Sequence, residues 1–312
     1  MSHAFPFLLS LAVLSILGCH SAYRSTAREL GYPEATRTIN GQHVKLTLPS
    51  SDKPSEFCFT IGKRPAEIDG VQYYLNKPAG RKNLSKDDIL LLRQALLFPA
   101  IPKTSALNLL IDPGHGGKDS GCRNETFNEQ SITLAVAKEV QQLLRELGHN
   151  VNLTRPDEST TLTLDDRTLL GASLAIDAFI SIHVNASTNP EAKGVETYTL
   201  PAFGCEGSLP NSPPRGPLVG HAHLPMSTRL AYYVQHALLK KTNTDGENTI
   251  TDRGVRHAHF KVLRDTPAPA ILIEIGFLTN AEDSVRITNP EEQKRIARQI
   301  VQGITKAFSQ TN

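Results

Sequence analysis

The chain has 312 residues, 39% of them hydrophobic and 21% charged, with a formal net charge of +2. These figures fit a soluble globular protein with one main core and room for a small extra domain. The near-balanced charge and the lack of a dense Lys/Arg run argue against a nucleic-acid partner. The absence of Trp removes one common sugar-stacking residue.

Residues 1–19 read as a leader. Phe5 to Cys19, FPFLLSLAVLSILGC, is too short for a comfortable transmembrane helix and right for the apolar centre of a signal peptide. It ends Ile16-Leu17-Gly18-Cys19, which resembles a bacterial lipobox with Cys19 as the lipidated residue. The expectation is an exported protein, periplasmic or an outer-membrane lipoprotein, that touches a membrane only through this N-terminal lipid anchor. Ordinary secretion with cleavage nearby is the alternative. Beyond Cys19 the cysteines are Cys58, Cys122 and Cys205. An odd count allows one disulfide, with Cys122 and Cys205 as candidates across the main domain, or three free thiols.

Residues 20–105 form a small α+β N-terminal domain. Asn40-Gly41-Gln42 and Asp69-Gly70 are turn signals between short alternating segments, and 43–48, 57–61 and 71–75 read as strands. Ser85 is placed to cap a helix running to Leu97. The domain resembles, loosely, the N-terminal domain type first named from copper amine oxidases. A spacer or packing role is expected, with wall binding as the alternative.

From Leu107 the pattern changes to alternating strands and helices, so residues 106–312 predict a doubly wound, mostly parallel α/β sheet with helices on both faces. Strands are expected at 108–111, 150–155, 178–184, 194–200, 259–264 and 270–277. Helices are expected at 129–147, 164–174, 226–241 and 290–308. In the first helix Ile132, Val136, Val140, Leu143 and Leu147 share one face. Residues 203–225 are rich in proline and glycine and read as a long loop or flap.

Ligands of open α/β sheets gather at the carboxyl ends of the strands. His115, in DPGHGG, lies just past the first strand, and Glu129 opens the helix that follows. His183 and Asn185 end the third strand, and Glu274 interrupts the strand ILIEIGF. Burying a lone imidazole or carboxylate there is costly unless it is paired or metal-bound. Two imidazoles and a carboxylate suit Zn²⁺, and a second carboxylate suits proton transfer. Taken singly, each has a plainer explanation: satisfied core histidines, a helix N-terminal acid favoured by the dipole, or a glycine turn for phosphate that lacks the usual lysine and serine.

The blocks DPGHGG, NE, SIHVNA, GVETY, RGVR, FKVLR and ILIEIGFLTN closely resemble, in order, the zinc-dependent N-acetylmuramoyl-L-alanine amidases of bacterial cell-wall turnover. The similarity runs from about Leu107 to Phe308. It implies Zn²⁺ held by His115, Glu129 and His183, with Glu274 as the catalytic acid/base. The reaction implied is hydrolysis of the amide between the muramic acid lactyl group and L-Ala of the stem peptide. The implied partners are peptidoglycan or muropeptide substrates, with a protein activator left open. Two other readings remain at this point: a non-catalytic peptidoglycan-binding envelope lipoprotein, and a zinc peptidase cutting elsewhere in the stem peptide.

Arg155 and Arg167 lie near the same edge, where salt bridging or binding of a substrate carboxylate would each explain them. Asn185 either orients substrate or caps a turn. His257 and His259 share a strand face and are expected at the surface, with a contact behind the metal ligands as the alternative. His221 and His223 lie in the flap, from which they could approach the zinc as a lid.

Overall fold

The computed structural model describes residues 23–49, 56–81, 83–97, 105–240 and 250–309. The leader and Cys19 lie outside the described residues. No helix among the described residues is long and apolar enough to cross a membrane.

The N-terminal part holds a short helix α1 (Arg24–Glu29), an antiparallel meander β1 (Thr36–Asn40), β2 (His43–Thr47), β3 (Glu56–Thr60), β4 (Pro65–Ile68) and β5 (Val71–Tyr74), and helix α2 (Lys86–Leu92). Ser85 caps α2 as expected, its Oγ accepting from the Asp88 amide at 3.1 Å. The last stretch of that helix, Arg93–Leu97, widens into a π-turn.

The larger part follows as β6 (Asn108–Pro113), α3 (Glu129–Glu146), β7 (Asn150–Leu153), α4 (Leu164–Ser173), β8 (Ala178–Asn185) and β9 (Val195–Thr199). Then come α5 (Leu224–Leu238), β10 (Asp252–His257), α6 (Lys261–Arg264), β11 (Ala270–Phe277), α7 (Ala281–Thr288) and α8 (Pro290–Phe308). Two expectations are corrected. Residues 259–264 do not form a strand: Lys261–Arg264 is one helical turn, with Val262 and Leu263 in the core, and the strand lies just upstream as β10. The segment 203–225 is not loop throughout, because Val219–His223 is a 3₁₀ turn leading into α5.

Among the described residues one sheet runs through all eleven strands in the order β1-β2-β3-β4-β5-β10-β9-β11-β8-β6-β7. The N-terminal meander therefore does not stand apart, because β5 pairs with β10. Strands β7, β6, β8 and β11 are parallel. Strand β9 runs against β11, and β10 runs parallel to β9. The link from β8 to β9, residues 186–194, is too short for the helical crossover that a parallel return needs, so β9 turns back.

Alternation along the strands separates two cores. Leu109, Ile111, Ile180, Ile182, Ile271 and Ile273 face the layer that includes α3, α5 and α8. Leu110, Phe179 and Leu272 face the opposite layer, with Val262 and Leu263 of α6. The same parity carries Asp112, Ser181, His183 and Glu274 to the second face, at the edge where β6, β8 and β11 end.

Candidate metal centre

The turn after β6 is shaped by contacts that side chains would block. A Cβ on Gly114 would lie 2.4 Å from Cε1 of His183, and one on Gly121 would lie 2.5 Å from Oε2 of Glu129. Both glycines let backbone pass against the site. His115 itself sits at φ 62°, a left-handed conformation unusual for a residue with a side chain. Arg167 fastens it: Nη2 donates to the His115 carbonyl at 2.6 Å, and Nη1 bonds the Asp112 carboxylate and the Pro113 carbonyl. Asp112 is itself buried and accepts from Thr154 and Ser181. Burial works to raise its pKa, but Arg167 and the three hydrogen bonds outweigh that and hold it below the usual carboxylate range.

Glu129 is the first residue of α3, whose N-cap Asn128 accepts from the Ser131 amide. Its Oε1 lies 3.1 Å from Nε2 of His115 and 2.9 Å from Nδ1 of His183, and it accepts from the Val184 amide. Its Oε2 accepts from the Cys122 amide. Burial pushes Glu129 up, yet the hydrogen bonds and charges of the two imidazoles bring it down overall. His115 Nδ1 is bound by Asp119 Oδ2 at 2.8 Å, which turns Nε2 toward the cluster. One donor atom each from His115, Glu129 and His183 lies within 4.8 Å of the others.

This donor set fits a zinc ion. Tetrahedral ligands bonded at about 2.0–2.1 Å stand roughly 3.3 Å apart, close to the two N–O separations observed. Glu274 lies one strand over, in register with His183. Its Oε2 is buried without a hydrogen-bond partner among the described residues. Burial, with the charges of Glu129 and Glu196 adding to it, raises its pKa well above the ordinary carboxylate value.

A model of the N-acetylmuramoyl-L-alanine amidase family (Amidase_3) matches residues 109–306, a span that contains all four of these side chains. The chain belongs to the N-acetylmuramoyl-L-alanine amidase family. It is 34% identical over 200 residues to the uncharacterised protein YqiI of Bacillus subtilis, covering 64% of this chain and 84% of that one. It is 31% identical over 288 residues to the probable cell wall amidase LytH of Staphylococcus saprophyticus, covering 91% and 81%. Among solved structures, the amidase AmiC2 of Nostoc punctiforme superposes with a TM-score of 0.52 at 32% identity, covering 65% of this chain and 98% of that one.

The remaining sequence candidates divide. Arg155 is fully buried and donates to the carbonyls of Pro113, Gly114, Gln130 and Asp157. Arg167 is committed to the turn as described. Both guanidiniums brace the DPGHGG turn from behind, the structural one of the two roles expected of them. Asn185 caps a turn, Oδ1 accepting from the Ala186 amide, while Nδ2 donates to Glu196. His257 is not at the surface. It is fully buried between Thr199 and the Tyr74 carbonyl, which joins β10 to β5. His259 meets Ser212, and His221 bonds the Leu218 amide and the Pro201 carbonyl, so neither enters the metal cluster. Cys58, Cys122 and Cys205 are all free, which removes the candidate Cys122–Cys205 bridge. Cys122 instead donates its thiol to the Val184 carbonyl.

Sequence reasoning missed the groups behind the ligands. Asp119 lies four residues past His115, a spacing that signalled it. Glu196 sits in GVETY, and its buried carboxylate collects Asn185 and Tyr198 on Oε1 and Arg253 and Arg256 on Oε2.

Proposed function

We propose that this family member hydrolyses the amide between the lactyl group of N-acetylmuramic acid and the L-Ala of the stem peptide. In this reading His115 Nε2, Glu129 Oε1 and His183 Nδ1 hold zinc, and Glu274 is the acid/base. The observation that carries the reading is the convergence of those three donor atoms beside Glu274, whose Oε2 is buried with no hydrogen-bond partner among the described residues.

A bound zinc ion supplies a Lewis acid for the scissile carbonyl and lowers the pKa of the attacking water toward about 7. The chain supplies the rest. Asp119 fixes the His115 tautomer, and the Arg167–Asp112 pair sets the turn that carries His115. Glu274 accepts a proton from the water whose oxygen bonds to the carbonyl carbon. It returns that proton to the L-Ala nitrogen as the C–N bond breaks, so the products are a free acid and a free amine. Its raised pKa makes it a better base than an ordinary carboxylate. A substrate of this kind lies outside the cytoplasmic membrane, in keeping with export through the leader expected at residues 1–19.

The test uses the chain from residue 20 onward with a muramyl-pentapeptide, with and without a chelator, read by mass spectrometry. Release of intact pentapeptide, lost on chelation and restored by zinc, is the expected result. Cleavage inside the peptide would reassign the enzyme to the peptidases. Zinc binding without any cleavage would favour a wall-binding role.

A further inference from the structure

The edge that presents Glu274 also carries an arginine that the proposed reaction does not use. Because β9 runs opposite to β11 and β10 follows β9, the start of β10 shares the edge where β8 and β11 end. Register places Gly254, Glu196, Glu274 and His183 in one row across β10, β9, β11 and β8. The pairing of β10 with β9 shifts between Asp252 and Gly254, so Arg253 is the extra residue of a bulge. Bulges re-aim a side chain and are common beside active sites.

Arg253 is aimed toward the reacting row. Strand β10 lies two strands, about 10 Å, from β11, and the Arg253 and Phe277 side chains meet across that gap. Its Nε donates to Glu196 Oε2 at 3.1 Å, and its guanidinium carbon stands 4.7 Å from the ring centre of Phe277, three residues past Glu274 on β11. Nη1 and Nη2 have no hydrogen-bond partner among the described residues, and the side chain is 30% exposed. The Nε contact and the ring hold the plane of the group while its two-pronged face stays open. That face matches a carboxylate in two-point contact.

Charge counting agrees. Glu196 carries one negative charge and faces two guanidiniums, Arg253 and Arg256. Arg256 is the more enclosed, stacked on Tyr74 and donating to the Ser208 carbonyl. The surplus positive charge therefore emerges at Arg253, beside the bond-breaking groups.

We propose that Arg253 is a specificity-determining residue that binds a free carboxylate on the stem-peptide residue following L-Ala. The proposal rests on the amidase reading and deepens it. In the stem peptide that residue is a D-glutamate linked through its side chain, so its α-carboxyl group is either free or amidated. The residue that follows L-Ala has its α-carboxyl group within about two residue lengths, roughly 4–7 Å, of the cleaved nitrogen. Glu274 and Arg253 then grip the two ends of one short dipeptide.

The experiment compares N-acetylmuramoyl-L-alanyl-D-glutamate with the corresponding D-isoglutamine amide as substrates of the zinc-loaded protein. The wild type is expected to favour the free acid by about 10- to 100-fold in kcat/KM, chiefly through KM. Arg253→Met is expected to bring that ratio close to one. Arg253→Lys, which keeps a cation beside Glu196 without the two-pronged face, is expected to give an intermediate ratio and guards against a folding defect in the first variant. Equal handling of both substrates by the wild type, or an unchanged ratio in Arg253→Met, would overturn the proposal. Turnover of neither substrate by the wild type would instead overturn the amidase reading, and this subsite with it.

Discussion

Glu274 and Glu196 face each other at paired positions of the antiparallel strands β11 and β9, yet only one of them is neutralised. Glu196 accepts from Asn185, Tyr198, Arg253 and Arg256, whereas Oε2 of Glu274 has no partner among the described residues. The same sheet thus holds one carboxylate matched by donors and cations and another that burial pushes toward its protonated form. Glu274→Gln keeps the size of the side chain and removes its proton-transfer capacity. It is expected to lower kcat by about 10²- to 10⁴-fold while zinc content and muropeptide binding stay close to wild type. A wall-binding protein would instead show no change in any assay, which steady-state rates and calorimetry on the same preparation decide.

Asp119 holds His115 by Nδ1, and its own side chain is 68% exposed. Asp119→Ala therefore removes an orienting contact without opening the core. Partners of this kind are worth about 10- to 100-fold in metal affinity, so zinc competition titration should show a weaker site with a nearly unchanged thermal midpoint. A large loss of stability with normal zinc affinity would mean that Asp119 serves the loop and not the ligand.

The Asp112–Arg167 pair is buried, and the turn carrying His115 hangs from it. Breaking a buried pair from one side costs about 3–5 kcal/mol, so Asp112→Asn should be strongly destabilised in denaturant titration. The pH dependence follows from the lowered pKa of Asp112. A depressed carboxylate contributes its full stabilisation above its unfolded value, about 3.9, and loses it as pH falls through the folded value. Wild type should thus lose stability at acidic pH in a way that Asp112→Asn does not. Parallel acid titrations of the two proteins would sink the idea.

His257 ties the N-terminal meander to the larger part of the chain. Nε2 donates to the Tyr74 carbonyl at 2.6 Å, and Nδ1 accepts from Thr199. Burial, with the nearby charges of Arg64, Arg256 and His259 in support, outweighs the Tyr74 hydrogen bond and lowers its pKa to about 4. The folded state therefore resists the proton that the unfolded chain takes up below about 6.5. This contribution is complete above about 6.5 and declines as pH falls to 4, amounting to a few kcal/mol, about 3, at the low end. His257→Gln should flatten that decline. Denaturant midpoints at pH 7 and pH 4.5 for both proteins measure it.

Much of the catalytic half was legible because its signals are local. The runs 108–111, 178–184 and 270–277 are apolar on both faces, as strands covered by helices must be. His183 and Glu274 stood out as polar residues that interrupt such runs. The helix beginning at Glu129 was marked by its periodicity, and the family blocks supplied the order of the ligands. Segment 259–264 was misread because a short apolar run fits a strand or one helical turn equally well.

What the sequence by itself determined, then, was the parity of each strand and the kinds of group brought to one edge, since both depend on residues a few positions apart. Only the tertiary structure decided the direction of β9, the joining of β5 to β10, the burial of His257 and the gathering of Arg253 and Arg256 on Glu196. Each of these pairs residues dozens to more than a hundred positions apart. Strand pairing over such distances is chosen by the packing of the whole sheet, and no local spacing records it.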